Sequence, residues 1–385
     1  MQGVAGAVDW ISDAPYYVVG FLFALTILVF VHEFGHYIVA RWCRVRVEVF
    51  SIGFGPELFG WNDRAGTRWR ISAVPLGGYV KMFGDSDPAS SPDPRLSSMS
   101  AEQRAVSFHH KGLKQRAAIV VAGPLANFLF AIVVLAIVYA VVGQPYSRPE
   151  IESIQPASAA EQGGLKPGDI VRSIDGAAIN RFEDIQRIVQ ASPEIPLLIV
   201  VDRGGAEFEL IITPGVTELI DRIGNRARIG LLGVRNSRLA IVRHDPLAAV
   251  WHATRETWGL SIATLHYVGQ MIVGARPADE IGGPLRIAQM AGEVSRRHDP
   301  VSMSWFLVVL SINLGLINLF PIPMLDGGHL VFYAAEALRG RPLGARVQEY
   351  AAYLGLSLVL ALMVFATWND LVHLRVVALI GSLLT

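Results

Sequence analysis

The chain has 385 residues, of which 52% are hydrophobic and only 17% charged, with 33 basic and 33 acidic side chains and a mean hydropathy of +0.41. Soluble globular chains carry about a quarter charged residues, so this composition excludes an ordinary soluble protein and points to a polytopic membrane protein with at least one polar domain. A net charge of zero offers nothing to nucleic acid, and Cys43, the single cysteine, excludes an intrachain disulfide and reads as a packing residue.

The N-terminal stretch MQGVAGAVDWISDAPYY lacks the basic start of a secretory signal. The first apolar run, residues 16–42, contains His32-Glu33-Phe34-Gly35-His36 and is therefore expected to be retained rather than cleaved. On a helix, His32 and His36 project from one face. That spacing suits two imidazoles on one zinc ion, with Glu33 beside them as general base. Ionisable groups at membrane depth are costly and point to function; the alternative is two core histidines and a glutamate satisfied by neighbours. Residues 41–116 then contain twelve Lys and Arg, which predicts a cytoplasmic loop. Within it, 68–83 alternates enough to predict a hairpin dipping into the membrane. Gly77-Gly78-Tyr79 would permit close approach of a substrate strand there; the alternative is a cytoplasmic surface hairpin.

The second apolar run, 117–142, includes Gly123-Pro124 and Asn127. Two roles fit Asn127 equally: a hydrogen bond to the active-site backbone or a ligand, or satisfaction of the carbonyl that the proline frees. Residues 143–215 read as a compact α/β module: a strand at 151–154, a helix at 157–162, the turn Leu165-Lys166-Pro167-Gly168-Asp169, the helix FEDIQRIVQAS, and strands in PLLIVVDRGG and EFELIITP. The pattern resembles a PDZ domain, a fold that binds extended peptides by strand addition. Its carboxylate-binding loop is expected at 145–149, where no signature marks it; a steric plug that binds nothing is the alternative.

Residues 216–300 read as a linker. In it, 257–275 is uncharged but moderately polar, and the preceding Arg255-Glu256 with Trp251 and Trp258 suits an interfacial amphipathic helix. The third apolar run, 303–327, ends in Asn318-Leu319-Phe320-Pro321-Ile322-Pro323-Met324-Leu325-Asp326-Gly327-Gly328-His329. A zinc site with two histidines needs a third protein ligand, and Asp326 is the carboxylate near the end of that run. The prolines break the helix and the glycines let the backbone bend toward a metal; alternatively Asp326 starts a loop or caps a helix. Asp326 reaches the histidines only if 257–275 does not span. His329 fits a supporting role to the metal or a capping role. The fourth run is 350–368, preceded by Arg339, Arg341 and Arg346 on the predicted cytoplasmic side.

The expected fold is a polytopic α-helical membrane protein with four transmembrane helices, a membrane-associated β-hairpin and an inserted extracytoplasmic PDZ-like α/β domain. Its divisions are 1–142, 143–215, 216–300 and 301–385, with both termini extracytoplasmic. HEFGH, NLFPIPMLDGG and the intervening module together resemble the site-2 protease family of intramembrane zinc metalloproteases, in its bacterial regulator-of-sigma-E branch. Ser51-Ile52-Gly53-Phe54-Gly55-Pro56, Pro75-Leu76-Gly77-Gly78-Tyr79-Val80-Lys81 and Ala122-Gly123-Pro124-Leu125-Ala126-Asn127 match as well. The resemblance implies one Zn2+ held by His32, His36 and Asp326, Glu33 as catalytic base, and Asn318 holding substrate backbone. It also implies location in a bacterial inner membrane, with the active site in the cytoplasmic half and the PDZ-like domain periplasmic. Substrates would be single-pass membrane proteins, such as anti-sigma-factor-like or signal-peptide-like chains, cut within their spans in regulated intramembrane proteolysis. The chain has room for one PDZ module where the best-known enterobacterial members carry two, which puts a two-domain size filter in doubt. A non-catalytic membrane scaffold binding peptides through the PDZ-like domain is the competing reading, and a zinc hydrolase acting on lipid is a third.

Overall fold

The computed structural model describes residues 2–86, 93–220, 226–236, 239–274 and 282–373. The chain divides into two compact units, one of Met1–Ala136, Val250–His266 and Ala278–Thr385, the other of Ile137–Ala249 and Tyr267–Pro277.

Among the described residues, four helical segments are long and apolar enough to cross a membrane: Pro15–Trp42, Leu113–Val141, Pro300–Leu319 and Arg346–Val372. The first belongs to α1 (Gln2–Trp42), whose residues 15–31 carry no charge before His32 and Glu33. After the short α2 (Ala101–Val106), the second is α3 (Leu113–Val141). Leu125, Leu129 and Val133 recur every fourth residue on α3 and are about half exposed. That stripe is unfavourable in water and natural in lipid.

Between α1 and α3 lie β1 (Val47–Asn62) and β2 (Arg68–Met82). Here the structure corrects the expected hairpin within 68–83. Those residues form one strand element whose partner is upstream, and the connection is at 63–67. Alternation inside 68–83 reports a strand but cannot name its partner. β1 curls at Gly53 and Gly55, both with positive φ, so its first half is flanked twice: Phe50 faces Val80 on one side and Trp69 on the other. Among the described residues, 78–82 pair with no strand but β1; on the other edge the Met82 amide donates to Asp85 Oδ2 at 3.0 Å and the Val80 amide donates to the Glu33 carboxylate. Asp63 closes the turn. Its Oδ1 accepts from the Ala65 and Thr67 amides at 2.8 and 2.9 Å, and its Oδ2 accepts from Trp69 Nε1 and Tyr37 Oη at 3.0 Å. Burial pushes the Asp63 carboxyl up, but these donors outweigh it and hold it below its ordinary value. Tyr37 lies on α1, so the turn is tied to the helix that carries the histidines.

The C-terminal part of this unit was only partly anticipated. Residues 284–296, read from sequence as linker, form the helix α7 (Pro284–Arg296) packed along α1. The approach is close: a Cβ on Gly292 would fall inside the Tyr17 ring. α8 (Pro300–Leu319) stops where Pro321 and Pro323 remove helical donors, and Asp326 opens a separate helix, α9 (Asp326–Arg339). α10 (Ala345–His373) follows; its buried Asp370 accepts from the amides of Gly283, Leu285 and Arg286 and so caps α7. The tail beyond His373 lies outside the described residues.

The second unit has a core of Ile151, Ile174, Leu197, Ile199, Val201 and Ile212 beneath Phe182, Ile185 and Val189. In chain order its elements are β3 (Gln144–Ser147), β4 (Ser153–Ile154), α4 (Ala159–Gln162), β5 (Ile170–Ile174), β6 (Ala177–Ala178), α5 (Phe182–Ala191), β7 (Leu197–Arg203), β8 (Ala206–Ile212), β9 (Gly215–Ile220), β10 (Arg226–Leu231), β11 (Val234–Arg235) and β12 (Leu239–Val242). The main sheet runs β6-β5-β7-β8, β9 pairs with β10, β11 with β4, and β12 with β3. Two expectations change as a result. The module does not end at 215, because residues up to 242 return to pair with its first strands. Residues 145–147 lie in β3 rather than in a carboxylate-binding loop. Strands of two to four residues carry no readable period, so pairing across about ninety residues is invisible locally. The helix α6 (Pro246–Ile272) leaves this unit; it contains most of 257–275 and is not among the four apolar segments.

Asp169 is fully buried, and its oxygens accept from Arg203 Nε and Nη2 at 2.6 and 2.7 Å. Burial raises its carboxyl, while Arg203 and the Lys166 amide hold it below the usual range on balance. Its stabilisation is therefore complete above an ordinary aspartate value of about 3.9 and is lost as pH falls through the lower folded-state value. Asp169→Asn should destabilise this unit by about 3 kcal/mol at neutral pH, low in the range for breaking a buried pair because Arg203 is partly solvated. In pH-dependent melts the gap between variant and wild type should narrow below about pH 4; a gap that is constant with pH would count against the ion pair as its cause.

Candidate metal centre

His32 and His36 sit one turn apart on α1 and are both about nine-tenths buried. Their side chains are fixed by α3. His36 Nδ1 donates to the Ile119 carbonyl at 2.8 Å, which puts the proton on Nδ1 and leaves the Nε2 lone pair free. His32 Nδ1 lies 3.1 Å from Asn127 Nδ2, and a flip of the amide exchanges that nitrogen for Oδ1. The same tautomer on His32 requires Asn127 to present its oxygen, and Oδ1 is the buried atom of this amide that otherwise has no partner. Sequence reasoning had left two roles open for Asn127; the structure places its side chain on His32. Ser311 Oγ of α8 holds the Asn127 backbone carbonyl at 2.9 Å.

This geometry depends on close helix contact. A Cβ on Gly35 would lie 2.3 Å from the Ala122 carbonyl oxygen, and one on Gly123 would lie 2.2 Å from His36 Nε2. Small residues let helices approach this closely. Gly123 was visible in sequence as part of a matching segment, but no local pattern gives its role.

Asp326, the first residue of α9, brings Oδ2 to 3.2 Å from His32 Nε2 and 3.5 Å from His36 Nε2, and the two Nε2 atoms are 3.3 Å apart. Asp326 Oδ2 is buried and makes no hydrogen bond of proper geometry. Three donor atoms thus converge with lone pairs unused. Ligands 2.0–2.1 Å from a tetrahedral zinc are about 3.3–3.4 Å apart, so the residues present fit the ion. The N-terminus of α9 is held in by Gly327 and Gly328, where a Cβ would come within 2.2 Å of the Phe320 carbonyl oxygen and 2.4 Å of the Ile322 carbonyl oxygen.

Glu33, His32, His36, Asp326 and Asn318 line one cavity of about 990 Å³, together with His329, His109, Arg116, Tyr333 and Glu336. The segment 78–82 borders it through Val80 and Met82. A Cβ on Gly78 would lie 2.6 Å from Val29 Cγ1 and 3.3 Å from Glu33 Cγ, so the strand passes directly over the turn of α1 that carries His32 and Glu33. Gly77 has a φ of +104° and sits under Phe54; Tyr79 is buried, its ring stacked 5.9 Å from that of Phe54. The Tyr79 side chain is therefore committed to the sheet, which leaves backbone for any partner strand. Cys43 packs at the edge of the core cluster of α1, β1, β2 and α3, away from the converging donors.

The profile of Peptidase family M50 matches residues 20–362. A relative from Rhizobium meliloti that carries a zinc-metalloprotease name is 46% identical over 366 residues, covering 94% of this chain and 98% of its own. Metalloprotease MmpA of Caulobacter vibrioides is 39% identical over 390 residues, covering 95% and 98%. The HtrA3 PDZ domain, solved with a phage-derived ligand, aligns with 18% of this chain and 63% of its own at 28% identity, but a TM-score of 0.17 carries no argument. The matched profile spans nearly the whole chain, and by that match the chain belongs to Peptidase family M50, the site-2 protease lineage.

Proposed function

We propose that this protein is a zinc endopeptidase of a bacterial inner membrane that cuts single-pass membrane proteins within their spans. The observation that carries the reading is the convergence of His32 Nε2, His36 Nε2 and Asp326 Oδ2 at tetrahedral-edge distances beside Glu33. These three residues would hold the metal. Zinc bound there supplies Lewis acidity, acidifying water and polarising a carbonyl. Asn127 and the Ile119 carbonyl hold the imidazoles in the tautomer that ligation needs. Glu33 takes the proton of the attacking water and returns it to the leaving amine nitrogen. Asn318 donates its amide to the substrate backbone.

A peptide bond inside a helix is shielded by its own hydrogen bonds, so cleavage requires local unwinding and new partners for the freed groups. The edge at 77–80 supplies them by strand addition beside Glu33, the Val80 amide exchanging the Glu33 carboxylate for substrate backbone. Gly78→Val should therefore raise KM or abolish cleavage of a membrane substrate while leaving zinc content unchanged. Full cleavage by that variant would remove the edge from the mechanism.

The twelve basic residues of 41–116 orient this loop to the cytoplasm. The metal centre then lies in the cytoplasmic half of the bilayer, the PDZ-like unit faces the periplasm, both termini are extracytoplasmic, and α6 lies along the membrane surface. The PDZ-like unit receives an extended peptide or restricts entry by size. Co-expression of wild type and Glu33→Gln with a library of tagged single-pass proteins, followed by mapping of cut sites, tests the reading. Cuts inside spans, seen only with the wild type, support it, and no cleavage at all favours a peptide-binding scaffold.

A further inference from the structure

We propose that the Arg116–Glu336 ion pair is a positioning clamp that sets the pose of α9 and thereby holds Asp326 at the metal. This rests on the reading of Asp326 as a ligand. Arg116, in the first turn of α3, donates from Nη2 to Glu336 Oε1 at 2.5 Å, across 220 residues of sequence. Both side chains are largely buried, 14% and 17% exposed. The Arg116 guanidinium also lies over the Tyr333 ring, 5.0 Å from its centroid.

The placement matters because α9 does not continue from α8: residues 320–325 between them are non-helical. Its N-terminus carries Asp326 directly after the irregular Pro-Ile-Pro segment, a connection with no continuous helix behind it. Asp326, His329, Tyr333 and Glu336 all line the same cavity and recur at helical spacing, so one face of α9 looks into it. Glu336 is ten residues beyond Asp326, about 15 Å along the axis. Leu330 and Tyr333 pack against the core cluster that contains Ile119 and Val120. Arg116 is on the same helix as Ile119, whose carbonyl sets His36, and as Asn127, which meets His32. The pair therefore links the helix that orients both histidines to the far end of the helix that presents the aspartate. With the near end seated by Gly327 and Gly328 and the far end held by Arg116, α9 has little freedom to tilt. Loss of the far anchor lets the near end move, and a ligand displaced by a fraction of an ångström leaves the tetrahedral edge.

The test measures zinc affinity of the detergent-solubilised full-length protein by competition with a chromophoric chelator, alongside kcat, KM and thermal melting. Arg116→Met and Glu336→Gln should each weaken zinc binding by about tenfold or more, the effect typical of losing a group that orients a ligand. kcat should fall with KM within about twofold, since neither residue is assigned to substrate. The double variant Arg116→Glu with Glu336→Arg should restore most of the affinity. If Arg116→Met does not fold, Arg116→Lys keeps the charge without the planar fork and should give a smaller loss in the same direction. Unchanged zinc affinity in the folded single variants, or a charge-swapped protein no better than the singles, would overturn the clamp. Asp326→Asn is measured in parallel. If it leaves zinc affinity unchanged the metal-site reading itself fails; if it alone weakens zinc, only the clamp fails.

Discussion

Glu33→Gln is expected to lower cleavage of a membrane substrate by about 10²–10⁴-fold, the usual worth of a positioned general base, with zinc content at wild-type level. Glutamine keeps the shape and the hydrogen-bonding capacity of the side chain but cannot take a proton from water. Glu33 is not among the three converging donor atoms, so its loss removes no ligand. Size-based detection of the cleaved substrate, together with metal analysis of the purified variant, checks both halves. Proteolysis near the wild-type rate would remove Glu33 from the chemistry, and loss of zinc would make it a ligand rather than a base.

Gly123→Ala is expected to cost zinc occupancy and activity by about ten- to a hundredfold, the range for disturbing the group behind a ligand. The direction is informative because alanine usually gains roughly 1 kcal/mol over glycine inside a helix. Here the added carbon would lie 2.2 Å from His36 Nε2, against a side chain held from the other side by the Ile119 carbonyl. Either His36 rotates away from Asp326 or α3 moves off α1, and both open the donor triangle. Gly259→Ala on α6 is the control: nothing lies within 4 Å of its added carbon, so that variant should melt at or above the wild-type temperature and keep its zinc. A Gly123→Ala protein with normal zinc content would show that α1 and α3 do not approach this closely.

Chemistry at i, i+4 spacing was legible in the chain. His32 and His36 share a face wherever they are helical, and an apolar run of this length is helical because lipid leaves no alternative partner for its backbone. Asp326 was legible as the needed third carboxylate, since prolines and glycines marked where the helix stops. Gly77-Gly78 announced a close approach, and the structure sets that approach against Val29 and Glu33. Strand partners were not legible. The alternation in 68–83 signals a strand, and its pairing with Val47–Asn62 depends on a curl at Gly53 and Gly55 and on the Asp63 turn, which Tyr37 ties to α1. The α/β character of the second unit was legible in its turns and helices, but its closing strands past 215 are too short to carry a signal.

The sequence by itself determined the reaction class, the candidate ligands, the candidate base and the four apolar segments, because these depend on residue type, local period and length. Tertiary structure decided that His36 Nδ1 meets the Ile119 carbonyl, that Asn127 lies against His32, that a side chain on Gly123 would meet His36, and that Arg116 pairs with Glu336 of α9. Those facts are distances between segments far apart in the chain, set by helix packing to a few tenths of an ångström, and such distances leave no local trace in the order of residues.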